Sequence, residues 1–213
     1  MERTTYIIRK RILIILYVIY AVGVIGHLIS ASRDVMLALT PLTLLVTGGL
    51  VLYALIRDDS EIIRWSIFTY VFTFCFELFG VKTGYIFGNY TYGDILIPQI
   101  YETPLIIGFN WILVILGSIS IAKRIINKPL FVIFAAPFFA VIFDFILEPV
   151  AVKLDYWTWE NGVIPLQNYI AWYIISLLFT SYFVLLKAKI RNRLAVHYYL
   201  IQLGFFMILN VTL

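Results

Sequence analysis

The chain has 213 residues, of which 62% are hydrophobic and only 13% charged, with a formal net charge of +4. A soluble domain averages about 25% charged residues, so these values and a mean hydropathy of +0.96 exclude a water-soluble enzyme and point to a single integral-membrane domain. Cys75 is the one cysteine, which excludes an internal disulfide and a thiolate metal cluster.

Seven apolar spans are read in chain order, each near the ~20 residues that cross a bilayer. The first, 12–31, follows Arg9-Lys10-Arg11 and is too long for a signal-peptide core, so it reads as a retained helix. The second covers 35–56, and the third, 62–80, carries Glu77. A long link, 81–103, leads to the fourth at 104–122. The fifth, 129–148, carries Asp144 and Glu148, and Pro149 is expected to end it. A second long link, 149–167, precedes the sixth at 168–187, and the seventh is 195–212.

Basic residues orient the spans. All but three of the 16 fall on one side: Arg3, Arg9, Lys10, Arg11, Arg57, Arg64, Lys123, Arg124, Lys128, Lys187, Lys189, Arg191 and Arg193. Only Arg33, Lys82 and Lys153 fall on the other. The positive-inside rule then makes the N-terminus cytoplasmic and puts both long links outside. Acidic residues do the reverse, with Glu77, Asp94, Glu102, Asp144, Glu148, Asp155 and Glu160 in the outer part of the middle four spans. Spans one, two and seven carry few ionisable groups and read as scaffold and lipid-facing wall.

Two stretches align. Phe74-Cys75-Phe76-Glu77 is followed by Tyr90-Thr91-Tyr92 and Pro98, and Val141-Ile142-Phe143-Asp144 by Trp157-Thr158-Trp159 and Pro165. Carboxylate to first ring is 13 residues in both, and carboxylate to proline is 21 in both. The repeat units are about 62–122 and 129–187. Spans three and five run in the same direction, so the repeat is parallel, with its axis along the membrane normal. Glu77 lies ~22 Å into its span at the helical rise, and Asp144 at a similar height. A pseudo-twofold axis would let them face each other across a shared cavity.

Ionisable groups inside a membrane are costly and mark functional sites. Asp144 and Glu148 are four apart and share a helix face. Of paired carboxyl groups in an apolar site, one can hold a proton and act as a general acid while its partner stays ionised as a base. Two plainer readings stand beside this. Glu148 can meet headgroups or Lys153, and Asp144 and Glu77 can be structural hydrogen bonds between helices.

Aromatic residues crowd the same outer layer, either as an interfacial belt or as ring faces for a cation. The candidate substrate-facing rings are Tyr85, Tyr90, Tyr92, Trp111, Trp157, Trp159 and Trp172. Asn110 and Asn168 join them, and His27, which follows Gly23 and Gly26, either contacts the site or packs its helix. A protonated carboxyl, a second carboxylate and a ring layer suit a carbocation made from an alkene of a lipid. Two distant histidines give no transition-metal spacing, and no nucleotide-binding loop is present. The basic excess is explained by topology, not nucleic acid.

The run from Asp144 through Glu148 and Pro149, then Tyr156-Trp157-Thr158-Trp159-Glu160-Asn161-Gly162, Pro165, Asn168 and Trp172, resembles the integral-membrane carotenoid biosynthesis proteins. Glu77 through Gly80, Gly84 through Tyr92, Pro104 and Trp111 fit the same pattern. The proteins resembled are the carotenoid hydratases of the bisanhydrobacterioruberin hydratase and gamma-carotene hydratase type. The resemblance covers most of the chain, with its core at 74–172. It implies hydration of the terminal double bond of an acyclic carotenoid end, giving a tertiary alcohol without a redox cofactor. The implied partners are a lipid-soluble carotenoid, water and the bilayer, with room for association with other carotenoid enzymes. The expected catalytic groups are Glu77, Asp144 and Glu148, with no metal. A short 159–165 loop and Ala171, where a glycine is common, depart from the pattern beside the expected pocket.

A membrane lycopene cyclase would use the same acid chemistry but leave mass unchanged. A non-catalytic carotenoid-binding or transport protein is a rival of another class, although no polar track leads to the cytoplasmic side. A retinal protein is disfavoured, because 195–212 contains no lysine.

Overall fold

Helices carry most of the chain in the computed structural model, which describes residues 2–213, with side chains from residue 6 onward. Arg3, counted above on the basic side, lies outside the described side chains. The helices are α1 (Glu2–Leu28), α2 (Ser30–Asp58), α3 (Glu61–Thr83), α4 (Leu105–Ile125), α5 (Pro129–Lys153), α6 (Leu166–Leu185) and α7 (Leu194–Thr212). All seven are long and apolar enough to cross a membrane. An all-α polytopic fold follows from the hydropathy pattern, because in lipid only intrahelical bonds satisfy so much backbone.

The boundaries differ in two instructive places. α1 begins ten residues before the apolar span, since Arg9-Lys10-Arg11 extend a helix even though they do not belong in lipid. α5 does not stop at Pro149 but runs on to Lys153. Proline costs the helix one N–H donor, the one that would reach the Phe145 carbonyl. Val150 and Ala151 beyond it are wholly buried, and that packing holds the last turn in place. Pro137 is tolerated inside the same helix.

α4 stands at the centre. Of its apolar window 78% is buried, against 28% in α1 and 17% in α2. A helix that is hydrophobic all round belongs inside, and Trp111 through Ser120 of α4 are buried without a break. α3, α5, α2 and α7 pack against it, and α5 lies along α6. α2 approaches α4 closely at Gly48, where a Cβ would collide with Leu113 and Phe109.

The two long links sit at one end of the bundle and pair with each other. β1 (Tyr90–Tyr92) and β4 (Trp157–Trp159) are antiparallel, with Tyr90 opposite Trp159, Thr91 opposite Thr158 and Tyr92 opposite Trp157. Gly93 N–H donates to the Tyr156 carbonyl at 3.0 Å, and Glu160 N–H to that of Asn89 at 3.0 Å, extending the ribbon at both ends. A second short hairpin joins β2 (Gln99–Ile100) to β3 (Thr103–Pro104). Its two turn residues, Tyr101 and Glu102, are both left-handed, as a two-residue hairpin requires.

Candidate active site

The ribbon caps a small chamber. Glu77 of α3, Asp144 and Glu148 of α5, Asn110 and Trp111 of α4, and Asn168 and Trp172 of α6 line it from the helices. Phe87, Tyr90, Tyr92, Trp157 and Trp159 line it from the links. The three acids are 5%, 0% and 2% exposed, so none of them serves a headgroup or bulk water. Glu148 in particular does not meet Lys153, whose ammonium reaches the Asn210 carbonyl instead.

Antiparallel pairing explains why four rings enter one space. In a strand, residues i and i+2 share a face. Tyr90 and Tyr92 therefore point inward together, as do Trp157 and Trp159, while Thr91 and Thr158 point outward and meet at 3.1 Å. Each ring carries one polar atom, and each polar atom reaches a carboxyl oxygen. Tyr90 and Tyr92 hydroxyls donate to Glu77 Oε2 at 2.6 and 2.8 Å, and the Trp111 indole donates to Oε1 at 2.7 Å. Trp157 and Trp159 indoles donate to Glu148 Oε2 at 3.0 and 2.8 Å. Asn168 Nδ2 donates to Glu148 Oε1 at 3.2 Å and to Asp144 Oδ2 at 2.7 Å, bridging the two acids of α5. Trp172 makes its contribution by stacking on Trp111, with ring centroids 3.8 Å apart.

Five of the six carboxyl oxygens thus accept hydrogen bonds. The exception is Asp144 Oδ1, which is buried and has no partner among the described residues. Burial, and then the Glu77 carboxylate beside it, push Tyr90 well above the usual tyrosine range. The same two causes act on Tyr92. Both hydroxyls therefore remain donors, which is the role their geometry gives them.

The structure brings Glu77 and Asp144 to one chamber, as the aligned hairpins implied, but their partners are not equivalent. The residue that receives the tryptophans of β4 is Glu148, one helical turn beyond Asp144. Tyr85 is not brought in; it is 80% exposed. His27 does not line this chamber either. Its Nδ1 lies 2.7 Å from the Gly23 carbonyl, and its ring faces a second cavity.

That second cavity was not legible in the sequence. It measures about 280 Å³ and is walled by α1, α2 and α7 together with Ile107 and Asn110 of α4 and Leu147 of α5. Helices one, two and seven are therefore more than scaffold. Ile107, Asn110, Leu147 and Trp157 line both spaces. One signal for it was available in Gln202, an amide within apolar α7. It is buried and donates to the Tyr20 hydroxyl at 2.9 Å and to that of Tyr198 at 3.2 Å. Tyr156, outside the spans, reaches Thr40 of α2 at 3.2 Å, and burial pushes its hydroxyl up to about 12. Among the described residues, no group of three His, Cys, Asp or Glu side chains is set to hold a metal ion.

The fold and the site together define a polytopic membrane protein with a buried acidic chamber beside an apolar cavity. Residues 36–213 match the model of the carotenoid biosynthesis protein family, and the chain belongs to that family. Its role lies in carotenoid biosynthesis, and its substrate is a lipid-soluble carotenoid. Comparison with curated proteins and with solved structures finds no match.

Proposed function

We propose that the protein is a carotenoid hydratase, a carbon–oxygen hydro-lyase that adds water to the terminal double bond of an acyclic carotenoid end. The observation that carries this reading is the bare Oδ1 of Asp144 among five oxygens that already accept hydrogen bonds. A carboxyl group that carries a proton is a donor, and indole and amide N–H groups can only donate to it. Glu77 and Glu148 are each held by three donors, as acceptors are. Asp144 has the one oxygen with room for a proton, and a proton there removes one of three like charges from a chamber that no basic side chain lines.

Asp144 transfers that proton to the terminal alkene carbon. The π electrons form the new C–H bond and leave a tertiary cation on the neighbouring carbon. The faces of Trp157, Trp159, Trp172 and Tyr90 and the two glutamates stabilise the positive charge. A water molecule held by Glu77 or Glu148 adds its oxygen to the cation. Its surplus proton passes to the carboxylates and returns to Asp144. Alkene plus water gives alcohol, and the acid is regenerated. The chamber, at about 40 Å³, exceeds the ~10–15 Å³ a water needs.

The reading includes a cytoplasmic N-terminus and a site near the extracytoplasmic face of the cell membrane. A carotenoid is a rigid rod about as long as the ~30 Å bilayer core is thick, so its reacting end lies near a face. Repeat units at about 62–122 and 129–187, within a single transmembrane domain, are supported by the ribbon. Exchanging β1 for β4 about the Thr91–Thr158 pair turns the Tyr90–Trp159 pair into the Trp157–Tyr92 pair.

The test is expression in a host that makes an acyclic carotenoid, followed by product mass. A gain of one water supports the hydratase. Ring closure at unchanged mass assigns a cyclase, and unaltered carotenoid retained on the protein assigns a binding or transport role.

A further inference from the structure

From the second cavity we infer a lateral entry: the end segment of the carotenoid slides from the bilayer between α1 and α2 into the apolar space, and its tip reaches the acids at the Asn110–Leu147 wall. The inference takes the acid chamber as the reacting site from the function proposed above, and the rest stands on the cavity itself.

Four observations carry it. The first is continuity: Ile107, Asn110, Leu147 and Trp157 belong to both walls, and Leu147 sits on α5 between the two acids. A chain end in the larger space therefore abuts the smaller one.

The second is where the cavity meets the surface. Val18 and Val22 of α1 and Leu39 of α2 line it and are 55%, 55% and 41% exposed. They form its rim on the helix flanks, which face lipid in a spanning bundle. Nearer the connection between these helices the pair is closed. Gly26 lies so near Met36 that a Cβ there would come within 2.6 Å of its side chain. The opening is thus directed sideways into the bilayer and not up into water.

The third is helix α2 itself. Pro41 lies beside the rim and denies the Leu37 carbonyl its usual N–H partner. α2 is also the least buried helix of the seven described, with 17% of its apolar window buried. The fourth is size. A volume of about 280 Å³ falls at the lower edge of the ~300–1,000 Å³ of small-molecule sites. It admits an end of a long polyene and leaves the remainder in lipid. The protein therefore reads one end group at a time and is indifferent to the far end.

The experiment uses the full-length protein in lipid nanodiscs with an acyclic carotenoid. It reads bound pigment by visible absorbance and product by mass. Val22→Trp and Leu39→Trp fill the rim, Leu45→Trp places the same ring on an exposed face of α2 away from the cavity, and Asp144→Asn keeps the cavity but removes the acid. The two rim variants should each lose bound pigment and product by roughly tenfold or more, because an inserted ring must move before a chain can enter. Leu45→Trp should match the unaltered protein, and Asp144→Asn should keep its pigment without making product. Should a rim variant fail to fold, Val18→Trp on the neighbouring turn replaces it. Rim variants that bind and convert at the unaltered level overturn the entry route and leave the hydratase standing. Pigment lost from the rim variants with no product from the unaltered protein overturns the hydratase and leaves the entry route standing. Two carotenoids that share the reacting end but differ at the far end should convert at equal rates, and a strong dependence on the far end overturns the one-end reading.

Discussion

Replacing Asp144 by asparagine separates chemistry from stability. Asp144 Oδ2 accepts from Asn168 at 2.7 Å, and Oδ1 is unpaired. An asparagine keeps the shape, sets its carbonyl oxygen on Asn168 and turns its amide to the unpaired side. No hydrogen bond is lost, so stability should change by less than about 1 kcal/mol. The proton donor is gone, and general acid catalysis of this kind supplies about 10²–10⁴ in rate, or about 3–5 kcal/mol of barrier. Glu148→Gln behaves differently. Its Oε2 accepts from two indole N–H groups, and an indole cannot turn round to accept. An amide nitrogen there faces two donors, and in the other orientation it faces Asn168, so the variant should lose about 1–3 kcal/mol. The assay pairs product yield, at matched protein levels in a host making an acyclic carotenoid, with thermal unfolding of the purified protein. The reasoning is refuted if Asp144→Asn keeps turnover within about tenfold of the unaltered enzyme. It is also refuted if Asp144→Asn melts below Glu148→Gln.

Trp159→Phe removes one donor from Glu148 while keeping most of the ring, and should cost about 1.5–3 kcal/mol, read as a lower melting temperature. Tyr85→Ala should leave turnover and melting unchanged, since Tyr85 is exposed and outside the chamber; a large loss of product would show that the link moves inward during the reaction. Gly48→Val wedges a branched side chain between α2 and α4 and should destabilise by about 1–3 kcal/mol in the same melt. Alkaline titration followed by tyrosine absorbance should show Tyr156 deprotonating only near 12, because burial favours its neutral form, and earlier ionisation would mean that water reaches the cavity beside it.

Hydropathy alone located seven spans, because any segment of some 20 apolar residues has only one backbone arrangement that lipid tolerates. The cost of charge in that setting singled out Glu77, Asp144 and Glu148 from all other positions. Equal spacings in the two hairpins put Tyr90, Tyr92, Trp157 and Trp159 on the same footing. All of this is local along the chain. What Pro149 does was not legible, because its effect depends on the packing of Val150 and Ala151.

Packing alone decided the partnerships. Trp157 and Trp159 serve Glu148 and not the aligned Asp144, since one turn of α5 separates the two acids and only the ribbon's position selects between them. Asn168 bridges both because α6 lies along α5, and the unpaired Oδ1 is what remains once every donor has found its acceptor. The cavity behind the chamber belongs to no single segment: α1, α2 and α7 meet there from opposite ends of the sequence. Gln202 marks one point of its wall, but the space itself exists only once the bundle has closed.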